Sequence, residues 1–330
     1  MGMLMSAQEG SVAQTPGSNP DKMANPSQST AWVFPGQGSQ TVGMGKALYD
    51  LYPEVQQLYQ TADRVLGYAL SDLCFSGPAE ELQQTNNAQP ALLVTALAHL
   101  AVLRLCFPGD YDTARFVAGH SLGEYTALVA AEALSFEDGL RLVAERGRLM
   151  REAGSTDEGP TGMSAVIGMP DAELERLCEE SGVDLANINA PGQVVISGPL
   201  VALEKAAAVA KELGARRVIP LPVSAAFHSR WMRPMAGTFA RRIASTEISL
   251  PSIKVVANVT ARPATGSDEI RDLLERQTYS SVRWVESVEY MVAHGASRFV
   301  EVGPGKVLTG LIKRIAPDVQ AESSEELLGL

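Results

Sequence analysis

Gly119-His120-Ser121-Leu122-Gly123 follows a short β-rich run over residues 115–118 and leads into a helical pattern over residues 124–131. A serine flanked by glycines at G-x-S-x-G spacing, with a strand before and a helix after, is the sequence signature of a nucleophile elbow. The glycines permit a turn too tight for side chains, so Ser121 Oγ stands exposed at a sheet edge. The Leu122 N–H then points to where an oxyanion would form, at the positive end of the following helix. Ordinary glycine turns share this spacing, and the flanking strand and helix are what favour the elbow.

Outward from the elbow, helical periodicity over residues 55–66, 91–105 and 136–153 alternates with short β-rich runs such as 31–34 and 115–118. That alternation predicts an α/β fold with a parallel sheet. Beyond Gly154-Ser155-Thr156-Asp157-Glu158-Gly159-Pro160, a linker-like cluster, strand patterns at 162–168, 193–197 and 216–220 enclose helical patterns at 171–181 and 201–213. The order is similar to a small ferredoxin-like (βαββαβ) unit. Strand, helix, strand and helix then return at 254–258, 287–294, 298–302 and from Lys306. The expected architecture is an α/β-hydrolase-like large subdomain (31–158 and 222–330) with a ferredoxin-like small subdomain (159–221) inserted and a cleft between them.

Residues 1–30 are rich in Ser, Gln, Pro, Asn, Gly and Met, without a periodic apolar face. They read as a disordered leader, a cloning or alternative-start remnant rather than a signal peptide. The opening Met1-Gly2-Met3-Leu4-Met5-Ser6 formally matches a myristoylation pattern, but no basic second anchor follows. Over the whole 330 residues, 27 Lys and Arg against 38 Asp and Glu give a net charge of −11, which argues against phosphate-driven binding of nucleic acid. Cys74, Cys106 and Cys178 are odd in number and lack C-x-x-C spacing, so neither a disulfide framework nor a zinc site is expected and a reducing cytoplasm fits. The apolar stretch 91–107 contains Thr95, His99 and Arg104 and ends at Pro108, which predicts a buried helix and no membrane span.

A serine hydroxyl needs a base, and the chain has four histidines. His99 lies on the apolar helix as a core residue, and His294 before Gly295 reads as a helix C-terminus. His120 adjoins the nucleophile, where alternation turns it away to support the elbow. His228 remains, in the loop Leu221-Pro222-Val223-Ser224-Ala225-Ala226-Phe227-His228-Ser229, with no role as its bland alternative. No Asp or Glu stands out as a third member.

Ser135 with Asp138 opens a helix whose apolar stripe is Gly139, Leu142, Val143, Leu149, Met150 and Ala153. Arg146 falls within that stripe while Arg141, Glu145, Arg148 and Glu152 lie on the outer faces. A guanidinium carried inward needs an anion, either an internal salt bridge or a substrate carboxylate held bidentately. Gly36-Gln37-Gly38, after the first strand, can supply a second oxyanion donor through the Gln37 N–H. No P-loop, dinucleotide fingerprint or H-E-x-x-H is present, so nucleotide and metal chemistry lack support.

Phe34-Pro35-Gly36-Gln37-Gly38-Ser39-Gln40, Gly119-His120-Ser121-Leu122-Gly123-Glu124, Arg146-Gly147, Asn189-Ala190-Pro191-Gly192-Gln193-Val194-Val195, Phe227-His228-Ser229 and Glu301-Val302-Gly303-Pro304-Gly305-Lys306 together resemble the malonyl-CoA:acyl carrier protein transacylase family over about residues 31–315. The resemblance implies an acyltransferase that moves malonyl from malonyl-CoA to a phosphopantetheinylated acyl carrier protein by a ping-pong serine mechanism. It serves fatty acid synthesis or, in trans, polyketide synthesis. By that resemblance Ser121 is the nucleophile, His228 the base, and the N–H groups of Gln37 and Leu122 the oxyanion hole. The Gln277 backbone carbonyl orients His228, and Arg146 holds the malonyl carboxylate. Asn189, Asn258, His120 and Phe227 join Arg146 around the substrate, Phe227 resembling the malonyl-selective form. Ala225-Ala226 ahead of it departs from the His-Ala and Tyr-Ala-Ser patterns of modular polyketide acyltransferases. Lys313-Arg314 matches a Lys-Arg pair near the carrier-binding face, and Arg216-Arg217 is a second candidate docking cluster. A cytoplasmic monomer without bound cofactor is expected. A proofreading hydrolase acting on carrier proteins shares the nucleophile, and Arg146 is what separates it from a transferase.

Overall fold

The computed structural model describes residues 29–109, 114–156, 159–223 and 225–330. Two sheets organise it. The first contains β1 (Ser29–Phe34), β2 (Ala114–Gly119), β8 (Lys254–Ala257), β9 (Arg262–Pro263), β11 (Ala296–Glu301) and β12 (Gln320–Ser323), in the order β12-β11-β1-β2-β8-β9. All neighbours are parallel except β8 and β9. β1 reads Ser-Thr-Ala-Trp-Val-Phe and is buried from Thr30 onward, the continuous burial of a central parallel strand covered on both faces.

The carboxyl ends of these strands place the chemistry. Gln37 follows β1, Ser121 follows β2 and Asn258 follows β8, so all three converge on one sheet edge, where ligands bind in open α/β sheets. The helix Thr85–Cys106 packs below them, buried on nearly every face. By length and composition it is one helix that could cross a membrane, but its apolar window is 78% buried inside the protein. Sequence reading starts this helix after Pro90, whereas the structure continues it through the proline back to Thr85.

The second sheet contains β3 (Ser155–Thr156), β4 (Gly159–Ile167), β5 (Asp184–Ala190), β6 (Gln193–Pro199), β7 (Arg217–Pro220) and β10 (Val282–Arg283). β4 lies between β7 and β6, and β6 pairs β5, all antiparallel. With the helices Leu174–Ser181 and Leu200–Glu212 this is the ferredoxin-like βαββαβ order. A separate apolar core fills it, built on Val166, Leu177, Ile196, Leu203 and Ala206. The molecule is thus an α/β protein with a hydrolase-like parallel sheet and a ferredoxin-like unit.

Four differences from sequence expectation have physical causes. β5 carries Asp184, Asn187 and Asn189 among its seven residues, so it lacks the apolar alternation that marks a strand. β1 begins at Ser29, because Ser29 and Thr30 pair with Ala296 and Arg298 of β11 ahead of the apolar run. The expected leader therefore ends before Ser29, and its residues 1–28 lie outside the described residues. Within the linker-like cluster 154–160, Ser155 and Thr156 pair with Pro160 and Gly159 as a hairpin, while 157–158 are not among the described residues. β10, from beyond residue 221, adds a parallel strand to β5, so the second sheet draws on a later part of the chain.

Candidate active site

Ser121 sits at φ 53°, in the left-handed region, between β2 and the helix Gly123–Ala130. A Cβ at Gly119 would lie 1.8 Å from the Gly123 carbonyl carbon, and one at Gly123 would lie 2.1 Å from the Phe34 carbonyl oxygen. Both glycines are demanded by close backbone approach. Asn258 holds the strained turn from behind. Its Oδ1 accepts from Ser121 N at 2.8 Å and its Nδ2 donates to Gly119 O at 2.7 Å.

His228 also has positive φ, 57°, and is buried. Its Nε2 lies 2.7 Å from Ser121 Oγ and its Nδ1 lies 2.8 Å from Gln277 O. A carbonyl oxygen only accepts, so Nδ1 carries the proton and Nε2 is free to accept from the serine. Burial, then the charge of Arg146, lowers the imidazole pKa from 6.5 to about 3. The ring is neutral at physiological pH, the state that a base requires.

Arg146 is 1% exposed on the helix Phe136–Glu152, which begins where Ser135 Oγ accepts from Asp138 N. Nη1 donates to Gln89 Oε1 at 2.8 Å, and Nη2 donates to Ser121 Oγ at 3.1 Å and Gln277 Oε1 at 3.0 Å. The guanidinium carbon lies 5.4 Å from the Tyr125 ring centroid. Among the described residues Arg146 makes no ion pair, and its Nε has no partner. Its neighbours on the outer face behave as expected, with Arg148 bridging Glu145 and Glu152. Burial lowers the Arg146 pKa from its ordinary value. A buried cation satisfied only by neutral acceptors is costly and suits an incoming carboxylate.

These groups face a cavity of about 300 Å³. Ser121, His228 and Arg146 line it with Gln37, Leu122, Gln89 and His120, while Phe227, Met150, Met163, Val195 and Val223 give apolar walls. Neither the Gln37 N–H nor the Leu122 N–H has an acceptor among the described residues. Such paired free donors beside a nucleophile suit an oxyanion. A larger open groove of about 640 Å³, lined by Arg262, Arg276 and Arg283, lies elsewhere and holds none of these residues.

The other sequence candidates divide. His120 Nε2 meets Asn189 Oδ1 at 2.8 Å, so two cavity-lining residues join the elbow to β5 across the cleft, and His120 is not turned away from the site. Asn258 is behind the elbow and does not line the cavity, because its amide is consumed by the turn. His99 is a core residue bonded to Ser324 Oγ at 2.9 Å, and His294 ends a helix, its Nδ1 on Tyr290 O. Arg216, Arg217, Lys313 and Arg314 are exposed and away from the cavity. Arg314 also bonds Gln193 Oε1 and Pro191 O, tying the helix Val307–Ile315 to the second sheet.

Sequence reasoning overlooks Gln89, the Gln277 side chain and Glu124. The Gln277 amide donates to Ser121 O at 2.9 Å and Glu124 Oε2 at 2.7 Å. For Gln89 and Glu124 the overlooked signal is a polar residue on an otherwise apolar helix, akin to the charge in an apolar stripe that marks Arg146, whereas Gln277 ends the polar helix Ser267–Gln277 and carries no such mark.

Comparison with known proteins accords with this geometry. The acyl transferase domain family matches residues 31–330. The malonyl CoA-acyl carrier protein transacylase of Escherichia coli strain K12 is 46% identical over 300 residues, which cover 90% of this chain and 96% of that one. An acyl carrier protein S-malonyltransferase from Vibrio cholerae superposes with a TM-score of 0.85 at 43% identity, covering 89% of this chain and 96% of its own. A malonyl-transacylase solved in complex with its type II polyketide synthase acyl-carrier protein gives 0.83 at 42% identity, with 89% and 94% covered. The chain belongs to the malonyl CoA-acyl carrier protein transacylase family of acyl transferases.

Proposed function

We propose that this protein transfers the malonyl group of malonyl-CoA to the phosphopantetheine thiol of an acyl carrier protein, through an ester on Ser121. One observation carries the reading. Ser121 Oγ stands between a neutral imidazole at 2.7 Å and a buried, ion-pair-free guanidinium at 3.1 Å. The first prepares a nucleophile and the second selects an acyl group that ends in a carboxylate.

In the first half-reaction His228 Nε2 takes the Ser121 proton as Oγ adds to the thioester carbonyl. The oxyanion receives the N–H groups of Gln37 and Leu122, and the imidazolium returns its proton to the departing CoA sulfur. The second half-reaction repeats this with the carrier's thiol as nucleophile, so the proton count closes and no cofactor is needed. Gln277 O holds Nδ1–H throughout, the orienting task that an aspartate performs in a Ser-His-Asp triad. Arg146 pairs with the malonyl carboxylate and is what favours transfer over the hydrolase alternative. Phe227 narrows the space beside the acyl chain, and His120 with Asn189 lines the approach. Asn258 acts on the substrate only through the elbow.

The proposed division of labour is assigned on the expected subdomains. Residues 31–158 and 222–330 bring nucleophile, base and fork, and residues 159–221 bring Asn189, Met163 and Val195 as the opposite wall. The names of the Escherichia coli relative and of the polyketide complex support malonyl-CoA and a carrier protein as partners, for fatty acid or polyketide synthesis. Exposed Lys313, Arg314, Arg216 and Arg217 are assigned to docking an acidic carrier. The three cysteines are free, which suits a reducing cytoplasm. To test the selectivity, malonyl and acetyl transfer are compared in Arg146→Ala. Malonyl transfer should fall by 100-fold or more, since a lost charged hydrogen-bond pair costs about 3 kcal/mol, while acetyl transfer falls less. Equal losses would make Arg146 structural only.

A further inference from the structure

Glu124 is 3% exposed in the first turn of the helix Gly123–Ala130, three residues after the nucleophile, and makes no ion pair among the described residues. Position alone would make it an ordinary acid at a helix N-terminus. Its bonds say more. Glu124 Oε2 accepts from Gln277 Nε2 at 2.7 Å and from Asn258 N at 3.1 Å. Both donors belong to residues that hold the reacting groups. Asn258 Oδ1 accepts from Ser121 N, Gln277 O accepts from His228 Nδ1, and Gln277 Oε1 accepts from Arg146 Nη2.

A primary amide has two ends, and the Glu124 carboxylate, together with Ser121 O at 2.9 Å from the same Nε2, decides which way Gln277 faces. With Nε2 held on Glu124, Oε1 must face Arg146. Reversed, the amide would present N–H to a guanidinium and an oxygen to a carboxylate, losing both bonds. We infer that Glu124 is the acidic member of this site, a positioning residue that acts through Gln277 to set the His228 imidazole and the Arg146 guanidinium, and whose negative charge offsets the imidazolium formed as Ser121 adds. The inference rests on the proposed serine mechanism but not on the identity of the acyl group.

Burial raises the Glu124 pKa from 4.5 to about 7, against hydrogen bonds from Gln277 and Asn258 and the charge of Arg146. The charged and titratable groups acting on it are Arg146 from the helix Phe136–Glu152, Tyr125 beside it on its own helix, and His228 reached through Gln277.

The test uses the full chain and a neutral fluorophosphonate probe, which forms a Ser121 Oγ–P bond, releases fluoride and passes the serine proton to His228. Intact mass reads the labelling rate from pH 5.5 to 8.5. In Glu124→Gln the rate should fall about 10- to 100-fold, since misplacing the reacting groups by about 1 Å can cost 10²-fold, with melting within a few degrees of wild type. Glu124→Asp should recover part of the loss. In the wild type the rate should rise through an ionisation near pH 7 that Glu124→Gln lacks, and this limb remains a test if the variant does not fold. Wild-type labelling in Glu124→Gln, a flat wild-type profile, or losses in both variants that track melting temperature would overturn the inference. Malonyl-CoA is run in parallel. A wild type that takes the phosphonate with this pattern but not malonyl sinks the proposed substrate and leaves the role of Glu124 standing.

Discussion

Ser121 and His228 are non-glycine residues at positive φ, a state that costs on the order of 1–3 kcal/mol each and persists only where surroundings over-determine it. Here the restraints are Asn258 on the serine backbone and Gln277 O with Thr278 O on the histidine. Asn258→Ala removes both elbow bonds at once, so Ser121 labelling by a phosphonate should fall at least tenfold without altering relative preference among acyl groups. A changed preference would place Asn258 against the substrate after all. The depressed His228 pKa has a signed consequence. The ring stays neutral down to about pH 3, so in Glu124→Gln no base-protonation limb should appear in kcat/KM between pH 5 and 6.5. A limb near 6.5 would show an ordinary, solvated imidazole. Arg146 was legible from sequence because a charge within an apolar stripe must be accounted for. Glu124 carries the same mark on Gly-Glu-Tyr-Thr-Ala-Leu-Val-Ala, but its partners lie 134 and 153 residues away, beyond any local pattern.

Among the elements, the strand–elbow–helix unit was legible because backbone geometry dictates its glycines. Gly123→Ala would drive a Cβ to 2.1 Å from a backbone oxygen that cannot move aside as a side chain would. It should lower melting by several degrees and abolish Ser121 labelling, and a fully active, stable alanine variant would contradict the tight elbow. β5 and the helices Arg233–Ala244 and Ser267–Gln277 were not legible as elements. β5 lacks a clean apolar alternation because Asn187 and Asn189 turn toward a polar cleft, where they meet His120, while Leu185 and Ile188 pack on the core of the ferredoxin-like unit. Function thus erased the very pattern that would have announced the strand. On the helix Val307–Ile315 the proposed docking role can be separated from the structural bonds of Arg314 within the Lys313-Arg314 pair. Lys313→Glu should raise the carrier-protein KM and spare that for malonyl-CoA. Arg314→Ala should raise both, because it releases the turn between β5 and β6. Identical effects of the two substitutions would remove the distinction.

At the scale of the whole molecule, the hydrolase-like sheet and the ferredoxin-like unit were readable from the alternation of periods. The joint between them was not, because β10 and Arg314 reach the second sheet from late in the chain. Buried titratable groups give the fold an uneven acid profile. His99 and His228 are depressed from 6.5 to about 4 and about 3, so the unfolded chain binds more protons there and stability falls as pH drops below 6.5. Glu124 and Glu301 are raised from 4.5 to about 7, chiefly by burial, so they favour the folded state as pH falls from 7 to 4.5. Two against two, these groups largely cancel between pH 6.5 and 4.5. Below 4.5 only the histidine loss remains, and the melting temperature should drop more steeply there. A melting curve that falls uniformly from pH 6.5 would mean the buried carboxylates are not protonated in the folded state.

The central claim is that Ser121 accepts the acyl group of malonyl-CoA. Incubating the protein with malonyl-CoA and weighing the intact chain tests it directly. One malonyl group should be gained on wild type, mapped to Ser121, absent from Ser121→Ala and discharged by a phosphopantetheinylated carrier protein. No adduct on wild type, or an adduct that persists in Ser121→Ala, would contradict it.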